Sequence, residues 1–225
     1  MSERPPRPVR PRDAASVVLV RGHGPAAEVL MGRRRSRAAF LPNVYVFPGG
    51  RVDRDDVVAG RQIDQPAATM DLLGRRRRGT HGLLVAALRE TFEETGLLLV
   101  EQRPFAPPPA FAEAPLWRAL AALGAAPALG HLVYVGRAIT PTLSPRRFNT
   151  RFFMADAACA RGELVTDGEL LDLRWVRLAE APRILPVVDV TGFVLTTVAR
   201  HLEGRPSERV PLWRYIGDRS HVLYE

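Results

Sequence analysis

The chain has 225 residues, of which 46% are hydrophobic and 25% are charged, and this ordinary globular composition excludes wholesale disorder. A single cysteine excludes an intramolecular disulfide framework and a multi-cysteine zinc site, so a reducing, cytoplasmic environment is the expected compartment. The net charge of +8 comes entirely from Arg, since the chain has no Lys, and it suits anionic partners.

The length predicts one enlarged domain or one domain with extensions. Residues 1–13, rich in Arg and Pro, predict a flexible tail. The remainder, 14–225, predicts a single domain with an inserted loop at about 57–80, in which one helical turn is expected near Ala67–Leu73, and a helical C-terminal extension. No apolar run is long enough for a transmembrane helix or has the flanks of a secretory signal, so no membrane partner is expected.

Periodicity and punctuation predict alternating strands and helices, which is typical of an α/β or α+β sandwich. In chain order we expect strands at Ala14–Arg21, Ala27–Arg33 and Val44–Phe47, a helix at His81–Thr95, a strand at Leu97–Val100, a helix at Pro115–Leu123, strands at Leu132–Ile139, Arg151–Ala155 and Leu171–Val176, and a helix at Val188–Leu202. Gly96 is a natural residue to end the first helix. The tail after Pro211 is ambiguous.

Three carboxylates share one face of the first predicted helix. At about 100° per residue, Glu94 lies about 40° to one side of Glu90 and Glu93 about 60° to the other. Such a face is repulsive, and Arg89 can offset part of the repulsion by pairing with Glu93 at i,i+4. Hard divalent cations prefer carboxylate oxygens, so Mg²⁺ or Mn²⁺ could neutralise the rest and bind a phosphate-bearing substrate. A solvated acidic face is the simpler alternative.

Two segments together resemble the signature of the Nudix hydrolase family, G-x5-E-x7-R-E-U-x-E-E-x-G-U, where U is a bulky aliphatic residue. Phe47–Gly50 supplies the glycine end, and Ala86–Leu97 supplies the Arg-Glu-x-x-Glu-Glu-x-Gly core. The two ends are separated by 25 more residues than usual. His81 occupies the place of the Glu that usually precedes the Arg by eight residues, whereas Asp56 lies six residues after Gly50.

An interrupted signature is found in the branch of the family that resembles the peroxisomal coenzyme A diphosphatases. Phe40–Asp53, Thr140-Pro141 and Arg146–Phe153 also resemble that branch. The coenzyme A motif of another branch is met only in part, because Arg34 fits while Ala39 stands where a second Arg is expected.

The resemblance implies a Nudix-type α/β/α sandwich around a mixed β-sheet. It also implies a diphosphatase that uses Mg²⁺ or Mn²⁺ and cleaves a small nucleotide-containing molecule, with coenzyme A or acyl-coenzyme A favoured. By position, Glu90, Glu94 and Glu93 would hold metal, and Arg89 would orient Glu93. Residues expected at the substrate are Gly49, Gly50, Arg33 and Arg34, and Glu169 is a weaker candidate for a base.

Several alternatives stay open at this point. The substrate could instead be ADP-ribose, NADH or a dinucleoside polyphosphate. An RNA-cap hydrolase would suit the positive charge, although no RNA-binding motif supports nucleic acid as a partner. A nucleotide-binding module without strong catalysis would suit the missing Glu. Homodimers are frequent in this fold, so a homodimer is a further expectation.

Other residues admit simpler interpretations. The run Arg75–Arg78 could grip phosphates but is more typical of a solvated loop, and His81 suits a surface role at the helix start. Cys159 is expected to be a packing residue. Trp117, Trp175 and Trp213 are expected in the core or at an interface, where one could stack on a base.

Overall fold

A computed structural model describes residues 9–37, 41–74, 79–165 and 167–225. The start of the predicted tail, Ala39 and Phe40 of the compared motifs, and the Arg75–Arg78 run lie outside these described residues. The strands are β1 Arg12–Arg21, β2 Glu28–Arg34, β3 Tyr45–Val46, β4 Gly49–Arg51, β5 Leu98–Glu101, β6 Ala126–Pro127, β7 Val133–Ile139, β8 Phe148–Asp156, β9 Ala160–Arg161, β10 Leu170–Arg177, β11 Pro211–Ile216 and β12 Arg219–Tyr224. The helices are α1 Arg54–Gly60, α2 Ala67–Leu73, α3 His81–Thr95, α4 Pro115–Ala122, α5 Ala181–Ile184 and α6 Asp189–Leu202.

The fold is a mixed sheet with helices on both faces, as the family resemblance implies. Along the sheet the strands run β10-β2-β1-β8-β7-β11-β12, while β3 pairs with β2 and β4 pairs with β1. β1 is parallel to β8 and β7 is parallel to β11, whereas the other pairs in this sheet are antiparallel. A smaller sheet, β6-β5-β9, lies apart from it in the hydrogen-bonding pattern.

β1 is covered on both faces, which explains its unbroken apolar sequence. Ala15, Val17 and Leu19 pack into the core that contains α3, and the alternate residues Val18 and Val20 pack into the core that contains α6. β1 therefore contributes to two cores, one on each face of the sheet.

The segment at about 57–80 is more helical than the sequence predicts, and the one helical turn expected near Ala67–Leu73 is the seven-residue helix α2. It completes α1 and then forms α2, whose residues Met70 and Leu73 are buried in the α3 core. The segment leaves and returns at nearly one point, because a Cβ on Gly60 would lie 1.9 Å from the carbonyl oxygen of His81. The Gln65 side-chain amide donates to both the Gly60 and the His81 carbonyl and so ties this junction.

Two further expectations are corrected at the ends of the chain. β1 begins at Arg12, so the last two residues of the predicted tail belong to the sheet, where Asp13 pairs with Arg151. The C-terminal extension is helical only through α6, after which β11 and β12 form an antiparallel hairpin at the sheet edge. Among the residues described here, no helix combines the length and the apolarity needed to cross a bilayer.

Candidate active site

Helix α3 has the bounds that its sequence predicts, and Gly96 ends it with a left-handed φ of +78°. Its last two turns carry the acidic residues. Beside them runs β4, which pairs with β1 through the register Gly49↔Ser16 and Gly50↔Ala15. The Ser16 hydroxyl donates to the Pro48 carbonyl at 2.8 Å, which holds the turn that leads into β4.

The two glycines of β4 make close contacts of different kinds. A Cβ on Gly49 would lie 2.4 Å from the Ala15 carbonyl oxygen, and a Cβ on Gly50 would lie 2.4 Å from the Glu90 carboxylate. A larger residue at position 49 would push β4 away from β1, and one at position 50 would displace the Glu90 carboxylate. The Pro-Gly-Gly sequence therefore lets backbone approach the acidic helix.

Arg89 connects three carboxylates. Its Nε and Nη2 donate to the two oxygens of Asp56, each at 2.9 Å, and Nη1 donates to Glu90 at 2.9 Å and to Glu93 at 3.0 Å. Burial would lower the pKa of Arg89, but the hydrogen bonds and charge of Asp56, with the charges of Glu90 and Glu93, raise the pKa overall. The guanidinium is thus a permanently charged hub that orients Glu90 from the side.

Asp56 is the residue whose role sequence reasoning missed. It is 3% exposed, and it also accepts a 2.8 Å hydrogen bond from the Asp53 amide. The signal was present in its position six residues after Gly50, although the residue is Asp and not Glu. The acid therefore reaches Arg89 from α1, across the inserted segment.

Glu94 is as deeply buried as Asp56. It is 3% exposed, and its Oε2 accepts a 2.8 Å hydrogen bond from the Gly49 amide. Burial raises its pKa to about 8; the Gly49 hydrogen bond opposes this, and the charges of Glu90 and Glu169 add to it. Burial likewise raises the pKa of Glu90, against the opposing effect of Arg89.

These groups face one large cavity. It has a volume of about 810 Å³, and Glu90, Glu94, Glu169, Gly49 and Gly50 line it together. Such a volume is in the range that holds a cofactor-sized ligand.

Glu169 reaches the cavity from the loop that precedes β10. The Arg35 guanidinium holds this loop by donating to the Asp167 and Gly168 carbonyls at 3.0 and 2.8 Å. Gly168 lies close to α3, since a Cβ there would be 3.2 Å from the Glu94 carbonyl oxygen. The loop and the end of the acidic helix are thus packed against each other.

Two of the predicted site residues lie elsewhere. Arg34 lines the cavity, but Arg33, its neighbour along β2, does not, because successive side chains of a strand point to opposite faces. Arg33 instead lies near the Tyr45–Asp172 pair. Glu93 does not line the cavity either, and it extends toward solvent with 45% of its side chain exposed.

The donor chemistry fits a hard divalent cation that shares its ligands with a substrate. Within the described ranges, no group of three or more His, Cys, Asp or Glu side chains converges closely enough to hold a metal alone. Mg²⁺ usually binds one or two protein carboxylates together with substrate phosphates and waters. Glu90 and Glu94 on one cavity wall suit that arrangement, because burial raises the pKa of each and a nearby cation would oppose this by favouring the ionised form.

Comparison with known proteins agrees with this geometry. The profile of the NUDIX domain matches residues 10–191. The crystal structure of a NUDIX hydrolase from Alicyclobacillus acidocaldarius is similar, with a TM-score of 0.62 and 31% identity over 83% of this chain and 90% of that chain. The chain therefore belongs to the Nudix hydrolase family.

Two curated proteins that are similar to this chain in sequence carry the same name. The chain is 32% identical to "Acyl-coenzyme A diphosphatase NUDT19" of Gallus gallus over 40% of this chain and 32% of that protein. It is also 32% identical to the protein of the same name from Xenopus laevis over 32% of this chain and 25% of that protein. The chain thus spans a quarter to a third of the length of these curated relatives.

Proposed function

We propose that the chain is a divalent-metal-dependent diphosphatase whose substrate is coenzyme A or an acyl-coenzyme A. The observation that carries the proposal is the single cavity in which Glu90 and Glu94 meet the glycine backbone of β4. The named activity of the two relatives supports the choice of substrate, and so does the interrupted signature.

The reaction is hydrolysis of a phosphoanhydride. Water forms a bond to one phosphorus, the bond from that phosphorus to the bridging oxygen breaks, and the second phosphate leaves. For coenzyme A the products would be 3′,5′-ADP and 4′-phosphopantetheine. When bound, Mg²⁺ or Mn²⁺ would polarise phosphoryl oxygens and lower the pKa of a bound water.

The chain's own residues would position the reacting groups and balance charge. These two effects supply most of the catalysis in phosphoryl transfer. Glu90 and Glu94 would hold the cation, and Arg89 would keep Glu90 in place from the side. The Gly49 amide fixes one oxygen of Glu94. Glu169, which lines the same cavity on its Arg35-bound loop, would accept the proton of the attacking water.

The finding for Asp56 weakens the alternative of a binding module without catalysis. That alternative drew on the missing Glu of the signature, but Asp56 supplies a buried carboxylate to Arg89. The acidic hub is therefore complete, although the chain reaches it by another route.

A hydrolysis screen with Mg²⁺ and Mn²⁺ tests the proposal. The substrates are coenzyme A, octanoyl-coenzyme A, ADP-ribose, NADH and a dinucleoside tetraphosphate, with products identified by mass, and Glu94→Gln serves as the inactive control. We expect 3′,5′-ADP from the two coenzyme A compounds. Brisk cleavage of ADP-ribose alone would assign the chain to the nucleoside-diphosphate-sugar class, and cleavage of none would support a binding module.

A further inference from the structure

The cavity has a second, apolar wall on the opposite side of the sheet from α3. Four residues form one row across four neighbouring strands: Ala14 registers with Thr150, Thr150 with Ala138, and Ala138 with Trp213. All four line the cavity, as does Tyr215 two residues further along β11.

The segment that leads into α6 closes this wall from above. Val187, Val190 and Thr191 line the same cavity, and both valines pack against the core that contains Trp213. The result is an apolar slot between a sheet face and the start of a helix. It is continuous with the space in front of Glu90 and Glu94, because the same cavity includes both.

The aromatic part of the slot comes from the C-terminal hairpin. Trp213 is 8% exposed, and its ring stands at 88° to that of Tyr215 with the centroids 5.0 Å apart. The edge-to-face contact braces both rings, so the wall is preformed. These residues lie beyond residue 191, where the match to the family ends, so the common family fold does not supply this part of the slot.

The other side of the acidic site is basic. A separate depression of about 430 Å³ is lined by Arg12, Arg51 and Arg54, and Arg51 also lines the main cavity. Its two carboxylates are already engaged, Asp13 with Arg151 and Asp53 with Arg51. A ligand centred on Glu90 and Glu94 therefore finds the apolar slot in one direction and, beyond Arg51, the depression with three arginines in the other, while Arg34 and Arg146 also line the main cavity.

We propose that the slot formed by Val187, Val190, Trp213 and Tyr215 holds the pantetheine-acyl arm of the substrate and sets its chain-length preference. The inference rests on the proposed function, because the diphosphate must lie at Glu90 and Glu94. The 3′-phosphoadenosine end then faces the basic depression, where its charge is matched. The opposite orientation would place a phosphate against valines and an alkyl chain against solvated arginines, and both placements are unfavourable.

Binding affinity should depend on the length of the acyl chain, and this dependence can be measured. Each buried methylene contributes about 0.8 kcal/mol, so two that enter the slot tighten binding by about tenfold. The gain should stop when the acyl chain outgrows the slot.

Calorimetric binding to the metal-free protein in EDTA tests this without turnover. The ligands are coenzyme A, butanoyl-coenzyme A and octanoyl-coenzyme A. For the wild type we expect octanoyl-coenzyme A to bind at least about tenfold more tightly than coenzyme A. Tyr215→Ala, which opens the slot, and Val190→Phe, which fills it, should reduce this ratio, which is taken within each variant so that any change in the shared pantetheine contact cancels. Tyr224→Ala is the matched control, since Tyr224 lies on β12 of the same hairpin, is 48% exposed and does not line the cavity.

The outcomes separate the inference from the proposed function. Equal affinity of the wild type for all three ligands, or a ratio that Tyr215→Ala and Val190→Phe leave unchanged, overturns the inference alone. A chain-length effect that both variants reduce, with no hydrolysis when Mg²⁺ or Mn²⁺ is added, supports the slot and overturns the proposed activity. Absence of binding by all three ligands, together with no hydrolysis when Mg²⁺ or Mn²⁺ is added, overturns both.

Discussion

Arg89 is the residue on which the geometry of the acidic site depends. The i,i+4 spacing was enough to predict its pair with Glu93, because that contact is local to one helix. Its stronger, two-bonded contact with Asp56 could not be predicted, because the two residues lie 33 positions apart and their contact depends on the path of the chain between them. Sequence therefore predicted which carboxylates are present, whereas the fold determined which of them face the cavity.

Removing the Arg89 charge should destabilise the protein strongly. In Arg89→Met the buried Asp56 keeps its charge without its partner, and such losses cost about 3 kcal/mol or more. The free energy of unfolding from urea titration measures the effect. Arg103→Gln is the control, because Arg103 pairs with Glu101 in a solvent-exposed position and should cost less than about 1 kcal/mol. Equal costs for the two variants would mean that the hub does not stabilise the fold.

Glu94→Gln should make the metal-free protein less sensitive to pH. Folding raises the Glu94 pKa from its ordinary value of 4.5 to about 8, so its contribution to stability is fully present below pH 4.5 and is lost as the pH rises toward 8. The Gln variant lacks this loss, and in EDTA its advantage in melting temperature should grow across that interval. A constant difference across the interval would contradict the raised pKa.

Metal should reverse the order of the melting temperatures of the wild type and the Glu94→Gln variant. Saturating Mg²⁺ or Mn²⁺ binds the folded wild type and raises its melting temperature, whereas the variant has lost one anionic ligand and should gain less. Turnover of the variant should fall by about 100-fold or more. Unchanged turnover at saturating metal would remove Glu94 from the mechanism.

At the scale of elements, long and strongly periodic segments were predictable and short ones were not. The bounds of α3 were predicted correctly, because a sustained apolar face and a terminal Gly both mark it. α1 was missed, because its seven residues carry mixed charge and give no clear period, whereas α2 was expected as one helical turn near Ala67–Leu73. The last hairpin was ambiguous because β12 is exposed on both faces and has no apolar alternation.

The burial of α2 makes the inserted segment part of the core. Met70→Ala should lower the free energy of unfolding by about 2–5 kcal/mol, because Met70 is 2% exposed and its truncation leaves a cavity. Leu72→Ala, on the same helix with Leu72 61% exposed, should change it by less than about 0.5 kcal/mol. Similar effects in urea unfolding for both would show that α2 is not packed as described. Because α2 is part of the core, shortening residues 57–80 should make unfolding less cooperative. A loop outside the core would have tolerated the same shortening.

For the molecule as a whole, the relevant property is the net charge of +8. An anionic ligand is attracted from a distance, and the attraction weakens as the Debye length falls from about 30 Å at 0.01 M salt to about 8 Å at 0.15 M. The composition alone predicted this general attraction. The separation of a basic depression from an apolar slot could not be predicted from composition, since it requires β4, β11 and α6 to be placed in space.

Coenzyme A should be a better substrate than dephospho-coenzyme A, because its additional phosphate meets the basic depression. We expect the ratio of their kcat/KM values to shrink as salt is raised across that range. Arg54→Gln should reduce the ratio at low salt, while Arg118→Gln, on exposed α4 surface, should not. Equal kcat/KM for the two compounds at low salt would argue against recognition of the 3′-phosphate by Arg.

The meeting of Gly60 with His81 has a consequence for how such a chain can diversify. Because the segment between them starts and finishes at one place, a gene can lengthen or replace it there without changing the distance between β4 and α3. The acid on α1 stays upstream of the junction and the arginine stays downstream, so their pairing survives the exchange. A replacement segment must supply apolar side chains that pack against the α3 core where Met70 and Leu73 now pack. The interruption in the signature thus marks a position where insertions can accumulate during evolution while the acidic site keeps its geometry.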